Sequence, residues 1–309
     1  MLQHHPMSMV VPLLVLGLAT SARAASSQDA CHATTKIAFA ACKTEARAAK
    51  ETALGKCLNV PDAAGRKACN QQAATDVQDA VKICIDGRAV RDAACARLGP
   101  SPYQPTIDPA NFVAVIDNPY FPLKPGTTFT YESHQPGILN HTEFAVTNNT
   151  KTILGVTCIE VHDTVKINGD LEEDTLDWFA QDQAGNVWYF GEDTMELAGG
   201  RPTTLGGSFV SGINGAQPGI IMKAHPAIGD FYRQEFDLAN AEDLADVISL
   251  TESVTVPAGT FNNDCLKTKE TTPLEPDLLE NKYYAPNVGN VLTVNLTTGE
   301  RVELISVTP

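Results

Sequence analysis

Long apolar runs are almost missing from this 309-residue chain. The one present, Val10 to Ala19, has signal-peptide length and is too short to span a bilayer. No later segment is apolar enough to cross a membrane, so the mature chain is read as having no transmembrane segment. Positive charge is scarce as well, with 22 Lys/Arg against 37 Asp/Glu. A surface that negative repels nucleic acid and anionic lipid. Catalytic signatures are missing too: there is no Walker loop, dinucleotide fingerprint or HExxH. Ser208 lies in Gly206-Gly207-Ser208-Phe209-Val210, where a hydrolase elbow needs a second glycine at the last place.

Residues 1–24 read as a signal peptide. Ala22-Arg23-Ala24 fits the small-x-small cleavage rule, although the leading stretch has His4 and His5 and no Lys or Arg. No cysteine stands at the cleavage site, which argues against a lipoprotein anchor. The expected location is periplasmic or secreted.

The remainder of the chain is unevenly charged. Residues 25–99 carry 11 Lys/Arg and 8 Asp/Glu, while residues 100–309 carry 10 and 29. The plain meaning of such acidity is solubility; it also attracts cations.

Residues 25–98 hold six of the eight cysteines, with gaps of 11, 15, 12, 15 and 11 that read the same from either end. A constant sum of paired positions is the rule of an antiparallel hairpin. It selects Cys31–Cys95, Cys42–Cys84 and Cys57–Cys69 from the roughly 15 connectivities that six cysteines allow. The segment is also alanine-rich, and alanine is the best helix former. Ser27 or Asp29 can cap the first helix, and Asn59-Val60-Pro61-Asp62 reads as the turn. A zinc site is the rival, but no CxxC or HxxxH spacing is present. Gly87 is a potential break, which leaves a three-helix form with the same ladder open. Large apolar side chains are few here, so covalent links replace a core that alanine cannot supply; each long loop closed is worth about 3 kcal/mol alone.

Residues 99–126 are a proline-rich linker whose run Phe112 to Ile116 is apolar enough to pack on the second domain. Residues 127–309 alternate in the manner of an acidic antiparallel β domain. Expected strands are 127–133, 143–148, 156–167, 171–181, 186–191, 231–238, 247–256, 265–270, 278–284, 290–295 and 302–307, with a helical turn or two over 239–245. The fold class is α+β in separate parts: an N-terminal disulfide-laddered antiparallel α-hairpin, then an antiparallel β half-barrel or barrel built from two related hairpin units. Those units show as Trp178-Phe179-Ala180 with Gly185-Asn186-Val187, matched by Tyr283-Tyr284-Ala285 with Gly289-Asn290-Val291. Cys158 matches Cys265, and a fourth disulfide between them leaves no free thiol.

Four runs carry a resemblance: Asn118-Pro119-Tyr120-Phe121-Pro122-Leu123, Asp177 to Asp193, Val256-Pro257-Ala258-Gly259-Thr260-Phe261, and Tyr283-Tyr284-Ala285-Pro286. Residues 105–309 resemble an uncharacterised family of exported bacterial β-domain proteins, and the last two runs are similar to segments of periplasmic lipoprotein-carrier-like half-barrel domains. The resemblance implies a fold more than an activity.

The functional expectation is an exported, non-catalytic binding or carrier protein. Its partner is a small apolar or amphipathic molecule or an envelope protein. Leu176, Trp178, Phe179, Trp188, Tyr189, Tyr283 and Tyr284 are the expected lining of an apolar pocket, because aromatic density on a curved sheet suits such ligands. One alternative is a secreted hydrolase or lyase using carboxylates and His162 or His225. Another is a structural envelope protein binding Ca²⁺ through Glu172, Glu173, Asp174, Asp177, Glu192 and Asp193, although their spacing is not that of an EF-hand.

Overall fold

The computed structural model describes residues 29–309; the expected signal peptide, residues 1–24, lies outside the described residues. Two helices come first, α1 (Ala30–Cys57) and α2 (Ala63–Leu98). Asp29 caps α1 by accepting from the His32 amide, and Asp62 caps α2 by accepting from that of Gly65. The helices lie antiparallel and carry the expected ladder of Cys31–Cys95, Cys42–Cys84 and Cys57–Cys69, with Cα separations of 5.6, 5.8 and 5.6 Å. Ile37, Leu58, Ile83 and Ile85 all face outward. Alanines and cystines are therefore what joins the two helices, in place of a large-residue core.

Gly87 does not break α2. The helix runs through it, and a Cβ at this position would collide with the carbonyl of Pro273 from the β domain. The glycine is a docking point. Arg91, one helical turn on, forms a buried forked ion pair with Glu242 (Nε–Oε2 3.0 Å, Nη2–Oε1 2.6 Å). Arg97 pairs with Asp246 and lies over the Phe231 ring. The hairpin is thus fastened to the β domain along α2.

The β domain contains β1 (Phe112–Val113), β2 (Thr128–Gln135), β3 (Ile138–Ile153), β4 (Val156–Ile167), β5 (Asp170–Asp182), β6 (Val187–Ala198), β7 (Arg201–Thr204) and β8 (Phe209–Val210). It continues with β9 (Gln217–Met222), β10 (Phe231–Arg233), β11 (Glu235–Phe236), β12 (Leu244–Val256), β13 (Gly259–Thr271), β14 (Leu279–Ala285), β15 (Gly289–Asn295) and β16 (Arg301–Thr308). Thirteen of them form one antiparallel path in the order β10-β12-β13-β14-β15-β16-β2-β3-β4-β5-β6-β9-β11. The two ends of that path, β10 and β11, are separated only by Gln234. One short stretch of chain therefore pairs with β12 and then with β9, which nearly closes the sheet into a barrel. The closure needs Gly219: a Cβ there would stand 2.3 to 2.5 Å from the Gln234 carbonyl group and the Glu235 nitrogen.

The expected strand at 231–238 is this two-part seam, and the expected helical turn at 239–245 is a turn that leads into β12. The apolar end of the linker belongs to the barrel. Phe112 and Val113 pair with Asp182 and Gln181, and Ile116 and Leu123 are buried at one end. The two related units are visible in register. Ile159 faces Phe179 on β4–β5 as Leu266 faces Tyr284 on β13–β14, and the next hairpin slips register at Trp178/Phe179 and at Tyr283/Tyr284.

The expected fourth disulfide is absent. Cys158 and Cys265 are both free and buried. They hold corresponding places in the two units, but β14, β15, β16, β2 and β3 lie between their strands. At about 4.8 Å per strand that distance exceeds the roughly 7 Å reach of a disulfide. Burial pushes the Cys158 thiol up to about 12 and that of Cys265 up to about 11, so both stay protonated and inert. Non-reducing peptide mapping should therefore return three linked pairs. Two further thiols should alkylate only after denaturation; a Cys158–Cys265 peptide would contradict this placement.

Candidate functional site

Strand alternation sends every second residue of the barrel inward. Across β4, β5 and β6 the inward rows read Val161–Asp177–Glu192, Asp163–Thr175–Thr194 and Val165–Glu173–Glu196. The row toward the linker end is aromatic, with Phe179 beside Tyr189. Rings continue across the interior: Phe129 to Phe144 at 6.2 Å, Phe144 to Phe179 at 6.4 Å, and Phe179 stacked on Tyr189 at 4.7 Å. Phe121, from the Asn118–Leu123 turn, packs edge-on to Phe179 at 5.4 Å and plugs that end. Asn118 anchors the plug by donating to the Gly185 and Lys223 carbonyls.

Between the rings and the charged rows lies a cavity of about 260 Å³. Its apolar wall includes Phe121, Phe129, Phe144 and Phe179, and its polar wall includes Asp163, Asp177, Lys282, Asn290 and Thr293. Lys282 keeps 30% of its side-chain surface accessible although it lies inside the barrel, so that surface faces the cavity. Its ammonium pairs with Glu270 at 2.8 Å, and Glu270 also accepts from Thr268 and Tyr284. Burial alone would depress the Lys282 ammonium; Glu270 and Glu280 outweigh that and hold it above its ordinary value. Opposite stands Asp163, which borders the cavity and whose Oδ1 is fully covered and has no hydrogen-bond partner. Asn290 Nδ2 on the same cavity is also unpartnered.

The interior carboxyls hold their protons unusually well. Burial, with Asp177 and Glu173 nearby, raises Asp163 well above the normal range. Burial lifts Asp177 to about 7 against the opposing hydrogen bond from Tyr189. Burial and the Asp177 charge lift Glu192 to about 8. The Tyr189 hydroxyl bridges the two, in contact with Asp177 Oδ1 and with Glu192 Oε2 at 3.1 Å. A phenol has one proton to donate, so the second contact needs a protonated carboxyl. At neutral pH this interior is a hydrogen-bonded acid cluster that titrates in the working range.

Of the residues expected to line a pocket, Phe179, Tyr189 and Tyr284 face the barrel core. Leu176, Trp178 and Trp188 do not. They lie on the outer face in a second cluster with Cys158, Phe190 and Phe112, and Trp178 carries Lys151 over its ring. Tyr283 is half-buried beneath Lys267 and packs against the edge of the core without lining the cavity. The expected Ca²⁺ set divides between faces: Glu173, Asp177 and Glu192 point inward, while Glu172, Asp174 and Asp193 alternate outward. Among the described residues no group of three or more His, Cys, Asp or Glu is placed to hold a metal ion. His162 bonds Asp174 at 2.7 Å on the outer face, and His225 is exposed, so neither joins the cavity. Asp163, Lys282 and Asn290 escaped sequence reasoning. The available signal was phase: Asp163 is in step with Val161 on a strand whose inward side is mostly apolar, and Lys282 is in step with Tyr284.

Asp177 and Glu192 bind protons more tightly folded than unfolded, so their contribution to stability is complete below pH 4 to 5 and is lost as pH rises through 7 to 8. Each rise exceeds three pH units, so at about 1.4 kcal/mol per unit the loss by pH 8.5 is on the order of several kcal/mol. The melting temperature should therefore fall between pH 5.5 and 8.5, and Asp177→Asn with Glu192→Gln should flatten that slope. A slope that survives both substitutions would assign it to other groups.

Comparison with protein-family models, with curated proteins and with solved structures gives no match, so the reading of this site rests on its geometry.

Proposed function

We propose that this is an exported, non-catalytic binding or carrier protein whose barrel holds a small amphipathic molecule. The unpartnered Asp163 oxygen in the cavity wall carries this reading. A buried acceptor without a donor costs free energy that a bound donor recovers once the Asp163 carboxyl turns toward the cavity it borders. An amine or hydroxyl head would meet Asp163, and an apolar body would lie against Phe121, Phe144 and Phe179. At about 260 Å³ the cavity is below the roughly 300–1,000 Å³ usual for drug-sized ligands, so a compact ring suits it and a long acyl chain does not. Export is supported by the three disulfides, which belong to oxidising compartments. No helix among the described residues is long and apolar enough to cross a membrane.

One observation favours the alternative of a hydrolase or lyase: Asp177 lines the cavity and titrates near 7, as a general acid–base group should. That chemistry would run through Asp177 and Tyr189, without His162 or His225.

Thermal denaturation with phenethylamine, 2-phenylethanol and ethylbenzene separates the roles of head and body. Saturating phenethylamine should raise the melting temperature most, and Asp163→Asn should remove its advantage over ethylbenzene. Filling the cavity by Thr293→Phe should abolish all three effects. No shift with any of them, or equal shifts in the filled variant, would sink the carrier reading.

A further inference from the structure

A second recess lies where the hairpin meets the barrel. It encloses about 540 Å³ between the start of α1, the Ser101–Tyr103 stretch and the seam strands β10 and β11. Three arginines stand at this joint, and two of them are neutralised: Arg91 by Glu242 and Arg97 by Asp246. Arg233 is not. Only 8% of it is exposed, yet among the described residues no carboxylate lies within ion-pair distance of it, and its Nε is sealed from solvent without an acceptor. Its guanidinium rests over the Phe236 ring at 4.4 Å and near Tyr103 at 5.5 Å. The Tyr103 hydroxyl is already committed to the Pro218 carbonyl. Burial draws the Arg233 pKa down, and Glu242, itself held by Arg91, opposes this only in part.

An unpaired buried guanidinium is costly unless something completes it. A domain this rich in carboxylates has left this buried cation without one, at the wall of a cleft large enough for a ligand. The guanidinium fork matches a carboxylate through two parallel hydrogen bonds. The rings of Tyr103 and Phe236 offer flat apolar surface beside it. Asp237 and Glu242 also border the cleft, which disfavours a doubly charged anion.

We propose that this cleft is a second binding site, for a small monocarboxylate with a flat apolar body whose carboxylate pairs with Arg233. The site is separate from the barrel cavity and of opposite charge preference, so it stands whether or not the cavity binds an amine.

The test uses the full exported chain with arginine labelled at ¹⁵Nε. Phenylacetate should shift the Arg233 resonance in a saturable manner, and calorimetry should find binding about tenfold or more weaker for the neutral phenylacetamide. Arg233→Met should weaken phenylacetate binding by a similar factor, Arg233→Lys should recover part of it, and Asp163→Asn in the barrel should leave it unchanged. If Arg233→Met fails to fold, the wild-type resonance and the amide comparison decide the matter. An unmoved Arg233 resonance at tens of millimolar phenylacetate, equal binding of the amide, or tighter binding of inorganic phosphate would each overturn the assignment.

Discussion

Closure of the β sheet rests on a single change of partner. At Gln234 the chain stops pairing with β12 and begins pairing with β9, so that two edges separated by eleven other strands become one wall. The crossing places the Gln234–Glu235 backbone against Gly219, where no side chain fits. Free strand edges invite aggregation, and closure removes them. The hairpin is anchored on the same place. Arg91 holds Glu242 in the turn after the seam, Arg97 holds Asp246 on β12, and Pro273 meets α2 at Gly87. Breaking a buried pair such as Arg91–Glu242 typically costs about 3–5 kcal/mol, although the intact pair adds little net stability. Its role is to fix where the hairpin sits. The hairpin, made rigid by three cystines, then acts as a brace across the seam.

The closed wall explains the chemistry inside. An open sheet would expose Asp163, Asp177 and Glu192 to water and leave them ordinary carboxylates. Enclosed, they lose hydration, repel one another and keep their protons into the neutral range. Glu270 and Glu280 beside Lys282 outweigh its burial and hold its ammonium above the ordinary value. Aromatic rings fill the linker end, the Phe121 plug seals it, and the charged rows are left incompletely packed, which is where the cavity forms.

Local regularities in the sequence were legible to different depths. The cysteine ladder was read in full, because helical geometry and an antiparallel hairpin permit one symmetric pairing. Strands β4 and β5 were placed to within a residue by alternation. The short strands β7, β8 and β9 were missed: β9 contains Pro218 and Gly219, which read as breakers, and its pairing depends on the distant seam. Facing was harder than placement. Trp178 and Trp188 drew attention by size, yet their phase puts them outside with Leu176, while the smaller Asp163 and Asn290 face the cavity. Cys158 and Cys265 correspond in the repeat, but equivalence by duplication sets two residues apart rather than together. Arg233 gave no local signal, because its isolation is a property of the joint between hairpin and barrel.

Amide hydrogen exchange on the intact chain tests closure most directly. If Phe231–Phe236 joins the two ends of the sheet beneath the hairpin, the amides of this stretch and of Gln217–Met222 should exchange as slowly as those of β4 and β5. Exchange there as fast as in the Pro136–Gly137 turn would mean that the seam is open, and the enclosed acidic interior would then lose its foundation.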